Sequence, residues 1–239
     1  MNELRLKRRI NFLTGYVLIS SVIFMVLIFS AFKNGERKES FDEITVKRIN
    51  VVDETGENLR MVISNEKRQH PGIINGEILP ERERPSGIIF FNSSGDECGG
   101  LVYDGNEQEA GMVFSIDKFR DDQVMQLQYM EDTKKYERKY GLQIWDYPKE
   151  NTFKERMNRF KELEQIQDDQ ARQLAYQKMK LDSLLMEERL FIGKKFNKDV
   201  GLFINDQNGI PRIKIYIDND DNPKIELLDK EGKVIKDNL

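Results

Sequence analysis

The sequence predicts a mainly β protein with an α insertion: an N-terminal transmembrane helix, an antiparallel β domain (meander, partial barrel or sandwich), and a long amphipathic helical segment within it. Three observations predict this. Ile10 to Phe32 runs 23 positions without a charge. A unit of apolar strand, Asp or Asn, two residues and Gly recurs along the chain. Residues 148–190 are rich in helix formers and contain no Gly. The predicted organisation is a basic tail over 1–9, the span over 10–32, a linker over 33–40, β-rich sequence over 41–147, the helical segment over 148–190, and a β-rich stretch over 191–239 that completes the same domain.

A bilayer core needs about 20 apolar residues at the helical rise, and Ile10 to Phe32 exceeds that. Arg5, Lys7, Arg8 and Arg9 precede it. The apolar run is longer than that of a signal peptide, and Ser30 and Ala31 lack a small residue at the spacing cleavage requires, so the segment reads as a signal anchor. The lipid bilayer is thus the predicted partner of Ile10 to Phe32. Lys33, Arg37, Lys38, Lys47 and Arg48 follow the span, so charge counting alone does not orient it. The dense basic tail favours a cytoplasmic N-terminus and an extracytoplasmic body.

Composition bounds the rest. The 239 residues carry 42 Asp and Glu against 38 Lys and Arg, a net charge of −4, which announces no basic face for nucleic acid. Charged residues at 33%, aromatics at 10% and a mean hydropathy of −0.64 describe a folded, solvated body. Cys98 is the single cysteine, which excludes an intrachain disulfide.

The recurrent unit places Asp53 with Gly56, Asn92 with Gly95, Asp206 with Gly209 and Asp229 with Gly232; a fifth copy pairs Asp218 with Asp221. Asp or Asn caps the turn with its side chain, and Gly accepts the positive φ of a type I turn closed by a bulge. Ile213, Ile215 and Ile217 alternate with Arg212, Lys214 and Tyr216, and Ile225, Leu227 and Val234 continue the apolar side, so Lys224, Glu226 and Lys230 are predicted to point outward. Gly111 to Ile116 and Val124 to Tyr129 are two further strands, joined through KFRDD.

In the helical segment, Thr152 and Glu155 have the spacing of a capping box, followed by Phe153, Met157, Phe160, Leu163 and Ile166 at helical intervals. Leu174, Leu181, Leu184 and Leu185 form a second apolar set. The segment reads as one rod or as two helices broken near Asp168 to Gln170. It pairs with its own sheet or with another chain, and the heptad lapses at Glu164 and Gln167 favour the sheet.

Chemistry is sparsely signalled. His70, the sole histidine, precedes Pro71 in a polar loop and reads as a surface residue. Cys98, between acidic residues in DECGG, is expected to have a raised pKa and no thiolate character. Asp218, Asp220, Asn222 and Asp229 imitate a calcium loop, but Pro223 stands where that loop needs Gly, and strands flank it. Trp145, Tyr147, Tyr140 and Tyr136 read as a buried aromatic cluster or a sugar platform. Glu81, Arg82, Glu83 and Arg84 read as a solvated loop. No catalytic, cofactor-binding or metal residue is predicted.

The segments VKRINVVDETGENLRMVISN, GIIFFNSSGDECGGLVYDG and GIPRIKIYIDNDDNPKIELLDKEGKVI resemble a group of uncharacterised bacterial proteins with an N-terminal membrane segment. The resemblance covers most of residues 41–131 and 190–236. It implies a bacterial source and carries over no activity and no site residue. The function that follows is a membrane-anchored, non-catalytic binding or structural module at the cell envelope. The alternatives are an envelope enzyme using Asp96 and Glu97 near Asn92 as acid and base, and an oligomeric scaffold paired through the helical segment.

Overall fold

A computed structural model describes residues 3–31, 39–150 and 152–237. The chain divides into two compact units, Met1–Thr45 and Val46–Leu239. The predicted linker over 33–40 lies almost wholly outside the described residues.

The first unit holds helix α1, Glu3–Ala31, long and apolar enough to cross a membrane. The helix begins before the apolar run, so the basic tail is its first two turns and not a separate segment. Thr14 and Ser20 donate their hydroxyls to the carbonyls of Ile10 and Val17, which satisfies these polar groups within the helix.

The second unit is built on one antiparallel sheet of twelve strands. These are β1 (Arg48–Val52), β2 (Leu59–Ser64), β5 (Gly87–Phe91), β6 (Glu97–Gly105), β7 (Glu109–Asp117), β8 (Gln123–Asp132), β9 (Glu137–Asp146), β10 (Glu187–Lys194), β11 (Val200–Asn205), β12 (Pro211–Ile217), β13 (Pro223–Leu228) and β14 (Val234–Asp237). Each strand pairs with the next in chain order. The fold is therefore a meander, and the second sheet among the described residues is a two-stranded hairpin whose Ile73 packs against Val62, Ile89 and Phe91. A small hairpin, β3 (Ile73–Ile74) with β4 (Glu77–Ile78), is inserted between β2 and β5. Helices α2 (Phe153–Gln165) and α3 (Asp169–Leu181) are inserted between β9 and β10.

The turns explain the meander. In all five predicted units the fourth residue has positive φ, from 60° at Asp221 to 85° at Gly95, and its N–H donates to the carbonyl of the first. The first side chain closes the loop from the other side. Asp206 Oδ1 accepts from the N–H groups of Asn208 and Ile210, and Asp218, Asp229 and Asn92 repeat the pattern on the residues two and four ahead. A sixth copy carries no such signature. Lys195 to Lys198 makes the same backbone bonds with Lys198 at φ 75°.

The helical segment is two helices. Ile166 is extended, at φ −83° and ψ 112°, and Asp168 caps α3 by accepting from Ala171 N–H at 2.7 Å. Leu163, Met179, Leu184 and Leu185 form the buried seam, with Phe160, Ile166 and Ala175 around them. The hairpin thus packs on itself, and Leu174 and Leu181 of the predicted apolar set face solvent. The capping box does not form, because Thr152 has helical φ/ψ and its hydroxyl is engaged by Lys149 O and Arg156 Nη1. What holds α2 to the sheet is an ion pair between Arg156 and Asp121, both buried, in the turn between β7 and β8.

Two stability measurements follow on the full chain in detergent. Lys198→Gly relieves a left-handed backbone that costs a side-chain residue about 1 kcal/mol, and is expected to raise the denaturant midpoint; an unchanged or lower midpoint contradicts that turn geometry. Arg156→Met strands a buried carboxylate and is expected to cost about 3–5 kcal/mol, most of which returns in the double variant with Asp121→Asn.

Candidate functional site

Pleating sends alternate side chains to opposite faces of a sheet, and in this one the two faces differ in kind. On one face, cross-strand register aligns Ile49, Ile63, Ile88, Leu101, Phe114, Leu127, Leu142, Ile192, Leu202, Ile215 and Ile225 in an unbroken row from β1 to β13. A second row runs beside it: Val51, Met61, Phe90, Gly99, Ile116, Met125, Ile144, Leu190, Ile204, Ile213 and Leu227. Neither row contains a polar side chain. Apart from Gly99, none of these positions is buried, and Leu127, Ile192 and Ile215 are 55%, 46% and 44% exposed.

The opposite face is the inner one. Val62, Ile89, Gln143, Phe191 and Phe203 lie on it and are at most 4% exposed. Its polar groups are largely engaged. Gln143 Nε2 donates to Leu190 O, Lys214 Nζ and Tyr216 Oη donate to the two oxygens of Glu226, and Lys195 Nζ sits 3.6 Å above the Phe203 ring. A cavity of 510 Å³ opens along this face between Val102, Val113 and Met130 and gathers both Pro85, ahead of β5, and Phe196, beyond β10. Residues that far apart along the sheet share a cavity because the sheet rolls toward this side. Gly141 and Gly193 face one another across β9 and β10 at φ 150° and 152°, where a Cβ on either would strike the neighbouring backbone.

This reverses the sequence expectation for the C-terminal strands. Ile215, Ile217, Ile225 and Leu227 form the outer, open face, while Lys224 and Glu226 belong to the inner one and are partly covered. Alternation identifies two faces but carries no sign for which is inward when a single sheet rolls on itself.

At one end of the sheet the loops are stitched by carboxylates. Asp96, 1% exposed, accepts from Gly76 N–H at 2.7 Å in the small hairpin and faces Arg120 at 3.8 Å. Glu97 takes both arms of Arg84, at 2.9 and 2.7 Å, so Arg84 is an anchor and not part of a solvated loop. The proposed acid and base are thus both engaged in holding loops. His70 is half-buried, correcting its surface reading: its ring lies edge-on to Phe91, its Nδ1 accepts from Gly72 N–H, and burial together with Arg48 lowers its pKa. Cys98 lies in strand β6, and its thiol pKa is raised by burial first and then by Asp117 and Glu97. Asp117, which sequence reasoning passed over, is pushed up to about 7 by burial, Glu97 and Asp122, with Arg84 opposing.

No family model, curated protein or solved structure matches the chain.

The other candidates separate in space. Asp218, Asp220 and Asn222 close the turn between β12 and β13 on their own backbone, and no three His, Cys, Asp or Glu side chains gather to hold a metal among the described residues. The four aromatics form neither a cluster nor a platform. Tyr147 is buried under Arg156, Tyr140 stacks on Tyr129 on the outer face, and Tyr136 is 84% exposed in a turn. The outer rows were visible in sequence as alternation within single strands; their continuity came from register.

Asp117 makes stability pH-dependent. Its folded pKa lies above the ordinary aspartate value of 3.8, so the folded chain keeps a proton that the unfolded chain releases. Stability therefore falls as pH rises between these two values and is flat above about 7. Asp117→Asn should flatten that slope and stabilise the full chain at pH 8 by about 2 kcal/mol, with little effect near pH 4. Denaturant titrations at the two pH values check it.

Proposed function

We propose that the chain is a single-pass, membrane-tethered module at the cell envelope that binds a partner on the outer face of its sheet and catalyses nothing. One observation carries the reading: two apolar rows cross eleven strands, and of their residues only Gly99 is buried by the described residues of Val46–Leu239. Soluble monomers rarely leave more than a few hundred Å² of contiguous apolar surface open, and larger areas mark interaction sites. The loop carboxylates support the non-catalytic part, since Asp96 and Glu97 are each committed to holding neighbouring segments. The apolar helix supplies the tether, and the basic tail before it favours a cytoplasmic N-terminus with the sheet on the far side.

The test reads whether the face is occupied where the protein works. Leu127→Cys and Tyr136→Cys, each in a Cys98→Ser background, are labelled with a maleimide in native membranes. Both positions are open in the isolated chain. A covered face slows Leu127→Cys by about tenfold or more relative to Tyr136→Cys, as expected for the desolvated centre of an interface. Equal rates mean the face is bare and defeat the proposal.

A further inference from the structure

We infer that the occupant of the outer face is a second copy of this chain, so that two sheets pack face to face across a two-fold axis. The inference rests on the binding role proposed for that face and names its partner.

The area of the face suits such a pairing. Eleven strands at about 4.8 Å and two side-chain rows at about 7 Å each give a band about 50 Å by 14 Å, on the order of 700 Å². A stable protein interface takes about 800 Å² from each partner. The rows alone come close to that, and Tyr103, Met112 and Tyr129 extend them in a third row.

The chemistry of the face suits it as well. The two rows hold no charge and no hydrogen-bonding side chain, so a fitting partner is itself a broad apolar surface with its backbone already paired. A sheet face meets that description, and packed sheets lie about 10 Å apart with interdigitated side chains. The face is rich in Met and aromatic side chains near its middle, at Phe114, Met125 and Tyr129, as interface cores are. A symmetric pairing needs only one patch to be complementary to itself, and an all-apolar patch meets that condition without charge matching.

Lipid fits less well. A band about 14 Å tall is half the hydrocarbon thickness of about 30 Å. The sheet order ends at β1 and β14 without joining them, and hydrocarbon does not tolerate open sheet edges. Tethering helps the homodimer instead, because two copies anchored in one membrane meet at a raised effective concentration.

Single cysteines decide it. Phe114→Cys, Leu127→Cys and Ile215→Cys sample the outer face at intervals, each in full-length Cys98→Ser protein in its own membrane. Met130→Cys, exposed on the inner face, is the control. A flexible bismaleimide is added for long enough to modify even a thiol shielded about tenfold, so that slow entry does not mask crosslinking, and the products are sized. Near a two-fold axis a residue lies opposite its own counterpart, so at least one outer variant should form covalent dimer of twice the chain mass, in about tenfold excess over Met130→Cys. No outer-face dimer, or equal dimer from Met130→Cys, overturns the second copy. So does an adduct of another mass, or a Leu127→Cys that is shielded from maleimide yet never crosslinks; in these last two cases the face is occupied by another protein or by lipid and the binding role stands. If Leu127→Cys labels freely, both proposals fail together.

Discussion

A pleated sheet has two faces, and a fold made of one sheet can shelter only the face it rolls around. That constraint governs this protein. The second unit commits twelve strands to a single antiparallel meander and closes its inner face with aromatic rings, lysine stems and paired carboxylates. Burying residues such as Ile89 and Phe191 yields about 1.5–3 kcal/mol each. The described residues of this unit leave most of the outer face without such a gain. An outer face that stays apolar through eleven strands is what the proposed association would cover.

The inner face owes its polarity to the same geometry. Gln143, Lys214 and Glu226 are tolerated there because each finds a partner within the sheet. The small hairpin, the β5–β6 turn, the β7–β8 turn and α2 are held at one end by Asp96, by Glu97 with Arg84, and by Asp121 with Arg156. Buried ion pairs contribute little net stability relative to apolar replacements but cost much when broken. Their role is accordingly to fix where the inserted segments sit. Asp117 is the exception among these carboxylates: one of its oxygens is buried without a hydrogen-bond partner, so its proton is retained up to near-neutral pH.

Legibility followed the range of the interaction that decided each feature. The D-x-x-G turns were readable because their chemistry is contained in four or five residues, down to the Asp206 and Asp218 side chains that cap them. The Lys195 to Lys198 turn was not, because its left-handed residue is held there by the flanking strands and not by its own propensity. The break before Asp168 and the seam of Leu163 with Met179 fell within local helical rules. Thr152 failed as a cap because an arginine one turn ahead, itself bound to a distant aspartate, took its hydroxyl. His70 and Arg84 looked solvated because the groups that cover them, Phe91 and Glu97, lie across a hairpin.

By itself the sequence determined the apolar N-terminal helix, the antiparallel strands with their turns, and the alternation of apolar and polar side chains along each strand. These are properties of short windows, set by backbone sterics and side-chain spacing. Only the tertiary structure decided that the strands form one open meander, that neighbouring rows align into a continuous apolar surface, and that this surface faces outward. The direction of rolling belongs to the whole sheet. It depends on which face gathers the aromatic rings, the glycine pair and the cross-strand partners, and no single strand contains that information.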